Sequence, residues 1–499
     1  MNQSARNRVG KIRSAFIWNV ALAFALTACG KSATTSPSTT LTSIEQALAA
    51  SGNAALPSYT SYGQLSTFWA MSSGCARLSF LPNLNPVGLP ATTFNCLNPQ
   101  YTAPGSINLI GCPNLTYDTL SNGSGAPLRL DLYLPGQYSY CAGSSVQSST
   151  GSGQACSPSG SGIQSRGLPL VVDIHGGGFF VGDRHNGSFA DIIALTQKGY
   201  AVASITYRLT QINTSIAGES IPPLSNWTDP VKDIKAAIVW LKVNSGVFID
   251  PNRVAIFGHS AGGFFSSLVS ASNGNSTLED FSRAIYANNP NGYTSAVQAS
   301  IVFNGPNNFS LFGNLTAPAS PYTNSRIASS PAPSLAQTST YSSLNGTSIW
   351  YGELFLNGLG NPSPFQIPNA TAATGAYAGP LTPAGTQAVT AADPSTYITQ
   401  NATSAIHLVP SFFYYALQDQ TVPFSMGDNV VSTINSHYAP NCTQLSSVTT
   451  GANCNTISGL TFAPAQPCTY VRDPTGNHAG AFSLIRVLDY ANFLGTFLP

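Results

Sequence analysis

A serine set between two glycines, in Gly258-His259-Ser260-Ala261-Gly262, is where residue types and spacing in this chain first point to covalent chemistry. Attack by a hydroxyl on a carbonyl carbon needs three things. The hydroxyl must stand out at a sharp corner, a base must take its proton, and N–H groups must receive the negative charge that develops. The pentapeptide follows the apolar run Val254-Ala255-Ile256-Phe257 and precedes the helix-like run from Phe264 to Ser270. This spacing predicts a strand turning abruptly into a helix with Ser260 at the corner, the layout of a nucleophile elbow. The pattern alone carries little weight. With 45 Gly among 499 residues and about one Ser in eight, chance supplies it about 0.5 times in such a chain.

The other chemical candidates are few. His175-Gly176-Gly177-Gly178-Phe179 ends an apolar run, and successive glycines leave backbone N–H groups unobstructed, as an oxyanion site requires. The competing reading is a glycine-rich turn. Three histidines follow Ser260. His478 lies in the small-residue loop Gly476-Asn477-His478-Ala479-Gly480-Ala481-Phe482, which leaves an imidazole open at a strand end. His437 ends a predicted helix, where the helix dipole is partner enough. His407 precedes a strand and reads as a polar residue at a domain edge. Between Ser260 and His478 the acids are Glu279, Asp280, Glu353, Asp393, Asp419, Asp428 and Asp473. Asp419 directly follows a predicted strand, where a carboxylate can orient an imidazole; Asp473, near His478 on the neighbouring strand end, is the reserve. Asp173, inside a buried-strand pattern, needs a partner, and Arg208 is a candidate. Asp183, Arg184 and His185 either rim a pocket or are ordinary surface residues, and Trp240 reads as packing.

These residues need rigid elements to hold them. Leu128, Leu130, Leu132 and Leu134 alternate with polar or aromatic residues, the period of a half-buried strand. Leu168 to Ile174 and Ala201 to Tyr207 are nearly continuous apolar runs, suited to strands covered on both faces. Between them Phe189 to Lys198 predicts a helix stopped by Gly199. Thr228-Asp229-Pro230 opens another, with Val231, Ile234, Ala237, Ile238 and Leu241 on its buried face. Strands follow at Ala299 to Phe303, Pro410 to Tyr415 and Thr469 to Arg472, before a final amphipathic helix with Phe482, Ile485, Leu488 and Phe493. Alternating strands and helices predict a mostly parallel sheet with helices on both faces, with ligands at the carboxyl ends of its strands. Residues from Ile44 to Asn122 show no period and read as an irregular N-terminal extension. Pro306 to Ala405, with Tyr322, Trp350, Tyr351, Phe355, Leu356 and Phe365 in a polar background, is too long for a plain loop and reads as a cap or lid.

Only 7% of residues are charged, 19 Lys+Arg against 18 Asp+Glu, so no polybasic surface suggests nucleic acid as a partner. Arg6, Arg8, Lys11 and Arg13 precede an apolar run from Ala15 to Leu26 that ends in Leu26-Thr27-Ala28-Cys29-Gly30. This resembles the lipobox of a bacterial lipoprotein. It implies a signal peptide over 1–28, lipid attachment at Cys29, a flexible Ser/Thr/Pro tether over 29–43, and membrane contact through that lipid only. The expected location is the periplasmic or cell-surface side of a bacterial membrane. An unused lipobox gives a secreted protein. Eight further cysteines, Cys75, Cys96, Cys112, Cys141, Cys156, Cys442, Cys454 and Cys468, suit an exported, disulfide-bonded chain. Cys141 and Cys156 flank one loop and read as a local pair. If so, at least one long-range bridge is needed among the remaining six. No CxxC spacing points to zinc.

HGGGF at 175–179, Tyr207-Arg208-Leu209, Asp250-Pro251-Asn252-Arg253-Val254 leading into GHSAGG, Asp419 with Val422-Pro423, and His478 together resemble the α/β-hydrolase superfamily. The nearest resemblance is to its HGGG-type branch of carboxylesterases, lipases and feruloyl or polymer esterases. It spans roughly 128–303 and 410–499. It implies an α/β-hydrolase fold over 44–305 and 406–499, interrupted by a cap at 306–405. It also implies Ser260 as nucleophile, Asp419 as orienting acid, His478 as base, and an oxyanion hole from the N–H groups of Gly177, Gly178 and Ala261, with no metal or organic cofactor. The substrate implied is a small-molecule or polymeric ester; a peptidase or a non-catalytic binding protein on the same scaffold are the rivals. The chain departs from the branch at Tyr415-Ala416, where many members have His-Gly. It departs again in the cysteine-bearing segment between Asp419 and His478, and at Asn307-Asn308, where relatives often carry Asp.

Overall fold

The apolar runs of the sequence become the middle of one eleven-stranded sheet. The computed structural model describes residues 56–80, 107–120, 125–136, 138–139, 147–148, 167–179, 181–185, 189–209, 214–216, 219–221, 226–244, 248–273, 275–309, 383–404, 407–417, 419, 421–445, 449–450, 455–456, 460–474, 476, 478 and 487–499. The unit Met1–Thr40, with the signal segment, Cys29 and most of the tether, lies outside them, as do Cys96, Cys141, Cys156, Cys454 and positions 310–382 of the expected cap.

Within the unit Leu41–Pro499 the principal elements run β1 (Ser58–Tyr59), α1 (Leu65–Trp69), β2 (Ala76–Phe80), β3 (Ile107–Thr119), β4 (Pro127–Pro135), β5 (Leu168–Ile174), α2 (Phe189–Gln197) and β6 (Ala201–Ile205). Then come α3 (Thr228–Asn244), β7 (Ile249–His259), α4 (Ala261–Ala271), β8 (Ala299–Phe303), α5 (Pro383–Ala392) and α6 (Pro394–Thr403). The last are β9 (Ser411–Ala416), α7 (Ser425–His437), β10 (Thr443–Leu445), β11 (Cys468–Asp473) and α8 (Val487–Phe497). The strand order is β1-β2-β3-β4-β6-β5-β7-β8-β9-β11-β10. From β6 to β10 all neighbours are parallel, while β4 is antiparallel to both β3 and β6. The chain leaves β5 toward β6 on one side and returns to β7 on the other, so the sheet reverses direction between β5 and β7. This is the α/β-hydrolase fold, and the reversal opens a crevice where the glycine run and Ser260 both emerge.

Period-two alternation divides the core into two layers. Along β7, Ala255 and Phe257 join Ile192, Tyr490 and Phe493 of α2 and α8, whereas Val254 and Ile256 join Ile234 of α3 and Leu268 of α4. Fully burying each Leu, Ile or Phe contributes about 1.5–3 kcal/mol, so both faces are firmly fixed. The described end of the expected cap, α5 and α6, packs on this scaffold: Asn401 Nδ2 donates to the Ala271 carbonyl at 2.7 Å. No helix among the described residues is long and apolar enough to cross a membrane.

The N-terminal extension is more regular than its sequence suggests. β3, at 13 residues, is the longest described strand and pairs with β2 and β4. Its register shifts between Cys112 and Leu115 and again between Thr116 and Asp118, with Asn114 at φ 61°. Two such irregularities break the alternation by which a strand is recognised. A disulfide, Cys75–Cys112, ties this strand to the residue before β2, and a second, Cys442–Cys468, anchors the start of β11.

Many of the described charges lie inside. Among the residues whose burial is described, Arg77 and Lys198 are the exposed charged side chains. Arg208 does not pair with Asp173; its guanidinium grips Asp233 at 2.8 Å and Asp229 at 3.2 Å, while Asp173 accepts from Ser204 Oγ at 3.0 Å. Arg184 is no rim residue either. It is buried, with Nε on Asp131 and Nη1 on Thr206, both at 3.0 Å, because a carboxylate on an inward strand position needs a cation. Trp240 is buried, as a packing residue should be.

Asp233 is the hub of the largest cluster. Burial alone raises a carboxyl's pKa, but Arg208 and Arg283, the latter at 2.7 Å, outweigh it and hold Asp233 below the usual carboxylate value. Replacing Asp233 by Asn removes the carboxylate that both guanidiniums share and leaves Arg208 with Asp229 and Arg283 with Asp118 and Asp280, and urea unfolding is expected to show a loss of about 3 kcal/mol; a change under about 1 kcal/mol contradicts this assignment. Asp191 behaves oppositely. Burial between α2 and α8 raises its carboxyl to about 7, although the Tyr490 hydroxyl donates to it. The folded state therefore keeps a proton that the unfolded chain gives up above ~3.9, and this contribution is lost as pH rises toward 7. Relative to the parent protein, Asp191→Asn is expected to gain stability between pH 5 and pH 8; parallel stability curves are incompatible with this reading.

Candidate active site

The corner at Ser260 is sterically demanding. Ser260 has φ 55° and ψ −123°, outside helix and strand, a conformation that costs a non-glycine residue of order 1–3 kcal/mol. Two hydrogen bonds hold it there: Ser260 N–H donates to the Phe303 carbonyl at 2.9 Å, and its own carbonyl accepts from Phe264 N–H at 3.0 Å. Gly262 explains the second glycine of the motif. A Cβ there lies 1.9 Å from the carbonyl oxygen of Ile174, so only glycine lets the start of α4 press against the end of β5.

Asp419 and His478 meet this corner from β9 and β11. Asp419 Oδ1 accepts from the N–H groups of Thr421 and Val422 at 2.7 and 2.8 Å, which turns Oδ2 toward His478 Nδ1 at 2.6 Å. His478 Nε2 in turn lies 3.0 Å from Ser260 Oγ. Donation to the carboxylate requires the proton on Nδ1, which leaves Nε2 as the acceptor for the serine hydroxyl. The carboxyl of Asp419 is wholly buried, whereas the His478 side chain is 21% exposed.

The alternatives are otherwise engaged. Asp473 receives the Tyr414 hydroxyl and, at 3.1 Å, the Gly476 N–H, so it shapes the loop before His478. Asp428 holds Tyr470 and Arg472, Glu279 holds Lys235, Asp280 holds Arg283, and Asp393 caps α6 through Ser395 N–H. Glu353 lies outside the described residues. His407 and His437 are exposed. At the departures, the Tyr415 hydroxyl donates to the Gly305 carbonyl at 2.7 Å and accepts from Asn307 Nδ2 at 2.8 Å. Asn307 thus braces the sheet edge.

The glycine run abuts the nucleophile. A Cβ on Gly176 lies 3.2 Å from Ser260 Cβ. Gly177, Gly178 and Phe179 all have positive φ, at 114°, 61° and 67°, and a Cβ on Gly177 meets the Val181 carbonyl oxygen at 1.8 Å. Among the described residues no hydrogen-bond partner occupies the N–H groups of Gly177, Gly178 or Ala261. Phe179 anchors the loop in an aromatic cluster, edge-on to Phe264 and Phe265 at 5.5 and 5.6 Å. His175 is buried and stacked on Tyr207 at 4.2 Å; burial lowers its pKa to about 4, so near neutrality it is an uncharged support.

One residue escaped the reading of the motif. His259, buried beside Ser260, points Nε2 at the carbonyl oxygen of His478 at 3.1 Å, with the two rings 4.7 Å apart. A carbonyl only accepts, so Nε2 carries the proton and donates. Burial, reinforced by His478, pushes its pKa well below the ordinary histidine value. Its place inside the pentapeptide was the available signal.

A family model described as BD-FAE matches residues 161–341, a span that takes in the glycine run and the elbow. Over 129 residues the chain is 33% identical to bile salt-activated lipase of Homo sapiens, covering 24% of this chain and 17% of the lipase. Over 107 residues it is 36% identical to fumonisin B1 esterase of Sphingopyxis macrogoltabida, covering 19% and 18%. The chain spans about a fifth of the length of the curated relatives it matches. Among solved structures, a truncated form of a carbohydrate esterase from gut microbiota aligns with 77% of this chain and 95% of its own, at TM-score 0.45 and 16% identity.

Proposed function

We propose that the protein is a serine-dependent carboxylic ester hydrolase that works through an acyl-enzyme. The observation that carries this reading is the continuous hydrogen-bonded series from buried Asp419 through His478 to Ser260 Oγ. It lies beside three N–H groups with no partner among the described residues. The lipase and esterase names of similar proteins support the same class.

In this mechanism His478 Nε2 takes the Ser260 proton as Oγ attacks the ester carbonyl carbon. The carbonyl π pair moves onto oxygen, where the N–H groups of Gly177, Gly178 and Ala261 receive it. Asp419 keeps the imidazole in the required tautomer and stabilises its cation. Collapse breaks the bond to the alkoxy oxygen, and the alcohol departs with the proton held by His478. Water, deprotonated by the same imidazole, then attacks the acyl-enzyme to release the acid and restore Ser260. The substrate is a small-molecule or polymeric ester, with plant-derived esters among the candidates. The protein is exported and anchored through lipid on Cys29. The disulfides Cys75–Cys112 and Cys442–Cys468 support an oxidising compartment.

Ser260→Ala is expected to abolish turnover of short-chain p-nitrophenyl esters, and Asp419→Asn to lower kcat by roughly 10⁴-fold; a Ser260→Ala protein that still turns over sinks the proposal. Gly177→Ala is expected to cost roughly 100-fold to 1,000-fold in kcat with the hydrogen-bonded series untouched. Activity within a few-fold of the parent removes that loop from the mechanism.

A further inference from the structure

The imidazole of His478 sits in a turn, not on a helix or strand, yet its Nε2 must stay within hydrogen-bond reach of Ser260 Oγ. Two described contacts steady this turn from below. Asp473 receives the Gly476 N–H at 3.1 Å, and His259 Nε2–H reaches the His478 carbonyl at 3.1 Å. Only the second comes from the strand that bears the nucleophile. His259 is the last residue of β7 and Ser260 the next, so the prop and the serine are carried on consecutive residues. β7 is among the firmest mounts in the molecule, paired on both sides by β5 and β8 with buried residues above and below.

We propose that His259 is a positioning residue: by donating Nε2–H to the His478 carbonyl it fixes the separation between the base and the Ser260 hydroxyl. The inference rests on the esterase reading above. The geometry at this buried position asks for a particular side chain. It needs a flat group long enough to reach the opposite loop, with an N–H at its tip and no charge beside the cation that forms on His478 during turnover. A neutral imidazole meets all three conditions. Its burial keeps it neutral, consistent with the lowered pKa.

The test compares the parent, His259→Phe, His259→Gln and Ser260→Ala with p-nitrophenyl butyrate and with a fluorophosphonate probe that labels the activated serine. His259→Phe keeps a flat ring without the donor, and kcat and the labelling rate are expected to fall roughly 10-fold to 100-fold, because small misplacements of reacting groups are that costly. KM is expected to stay within about twofold, since no substrate contact is removed. His259→Gln, whose amide N–H reaches a similar point, is expected to recover most of the loss. If His259→Phe fails to fold, as read from its thermal transition, His259→Met takes its place as a donor-free side chain of similar reach. A donor-free variant with parental kcat overturns the inference, and so does a glutamine variant as slow as the donor-free one. In both cases an inactive Ser260→Ala leaves the esterase reading standing. Persistent turnover by Ser260→Ala overturns that reading and this inference with it.

Discussion

The site depends on one close approach, Gly262 against the carbonyl of Ile174. With no side chain at that point, the first turn of α4 lies directly on the end of β5. Ser260 is forced into its left-handed corner, and the glycine run that continues β5 reaches the serine. A strand pair held only by hydrogen bonds tolerates some slippage, but two backbones in van der Waals contact do not. Ser260 and the glycine run therefore share one rigid seam at the point where the sheet reverses direction.

Asp419 and His478 arrive independently, just beyond the ends of β9 and β11, which are adjacent and in parallel register. This arrangement explains why Asp419 and Asp473 are hard to separate by sequence alone. Both carboxylates end neighbouring strands at the same edge, and Ala416 pairs with Asp473 itself. The distinction lies in local turns. Asp419 folds back under two N–H groups and presents one oxygen outward, whereas Asp473 spends both oxygens on Tyr414 and Gly476. Spacing along a chain cannot express such a difference.

Much of the scaffold was legible because its strands are buried on both faces. β5 and β8 begin and end where their apolar runs do, and α3 begins at the predicted Thr228-Asp229-Pro230. β3 was not, because its register shifts erase alternation, and no local signal marks a bulged strand as a strand. Charged side chains gave the poorest forecasts. The sequence allows Arg184 at a rim or on the surface and offers Arg208 as a partner for Asp173, yet both are inside and bound to other acids. Ion pairing joins residues far apart in sequence, so its partners become visible only once the strands are assembled. His259 was overlooked for a related reason: its partner lies 219 residues away.

The inward placement of charge also bears on how the protein meets its surroundings. Arg77 and Lys198 are the exposed charged side chains among the residues whose burial is described, while Asp131 with Arg184, Asp233 with Arg283 and Lys235 with Glu279 form ion pairs inside. Each of these pairs sets opposite charges a few ångströms apart, so together they add little to the field outside the protein. Buried pairs are screened by salt much less than exposed ones, so these contacts hold over a wide range of ionic strength.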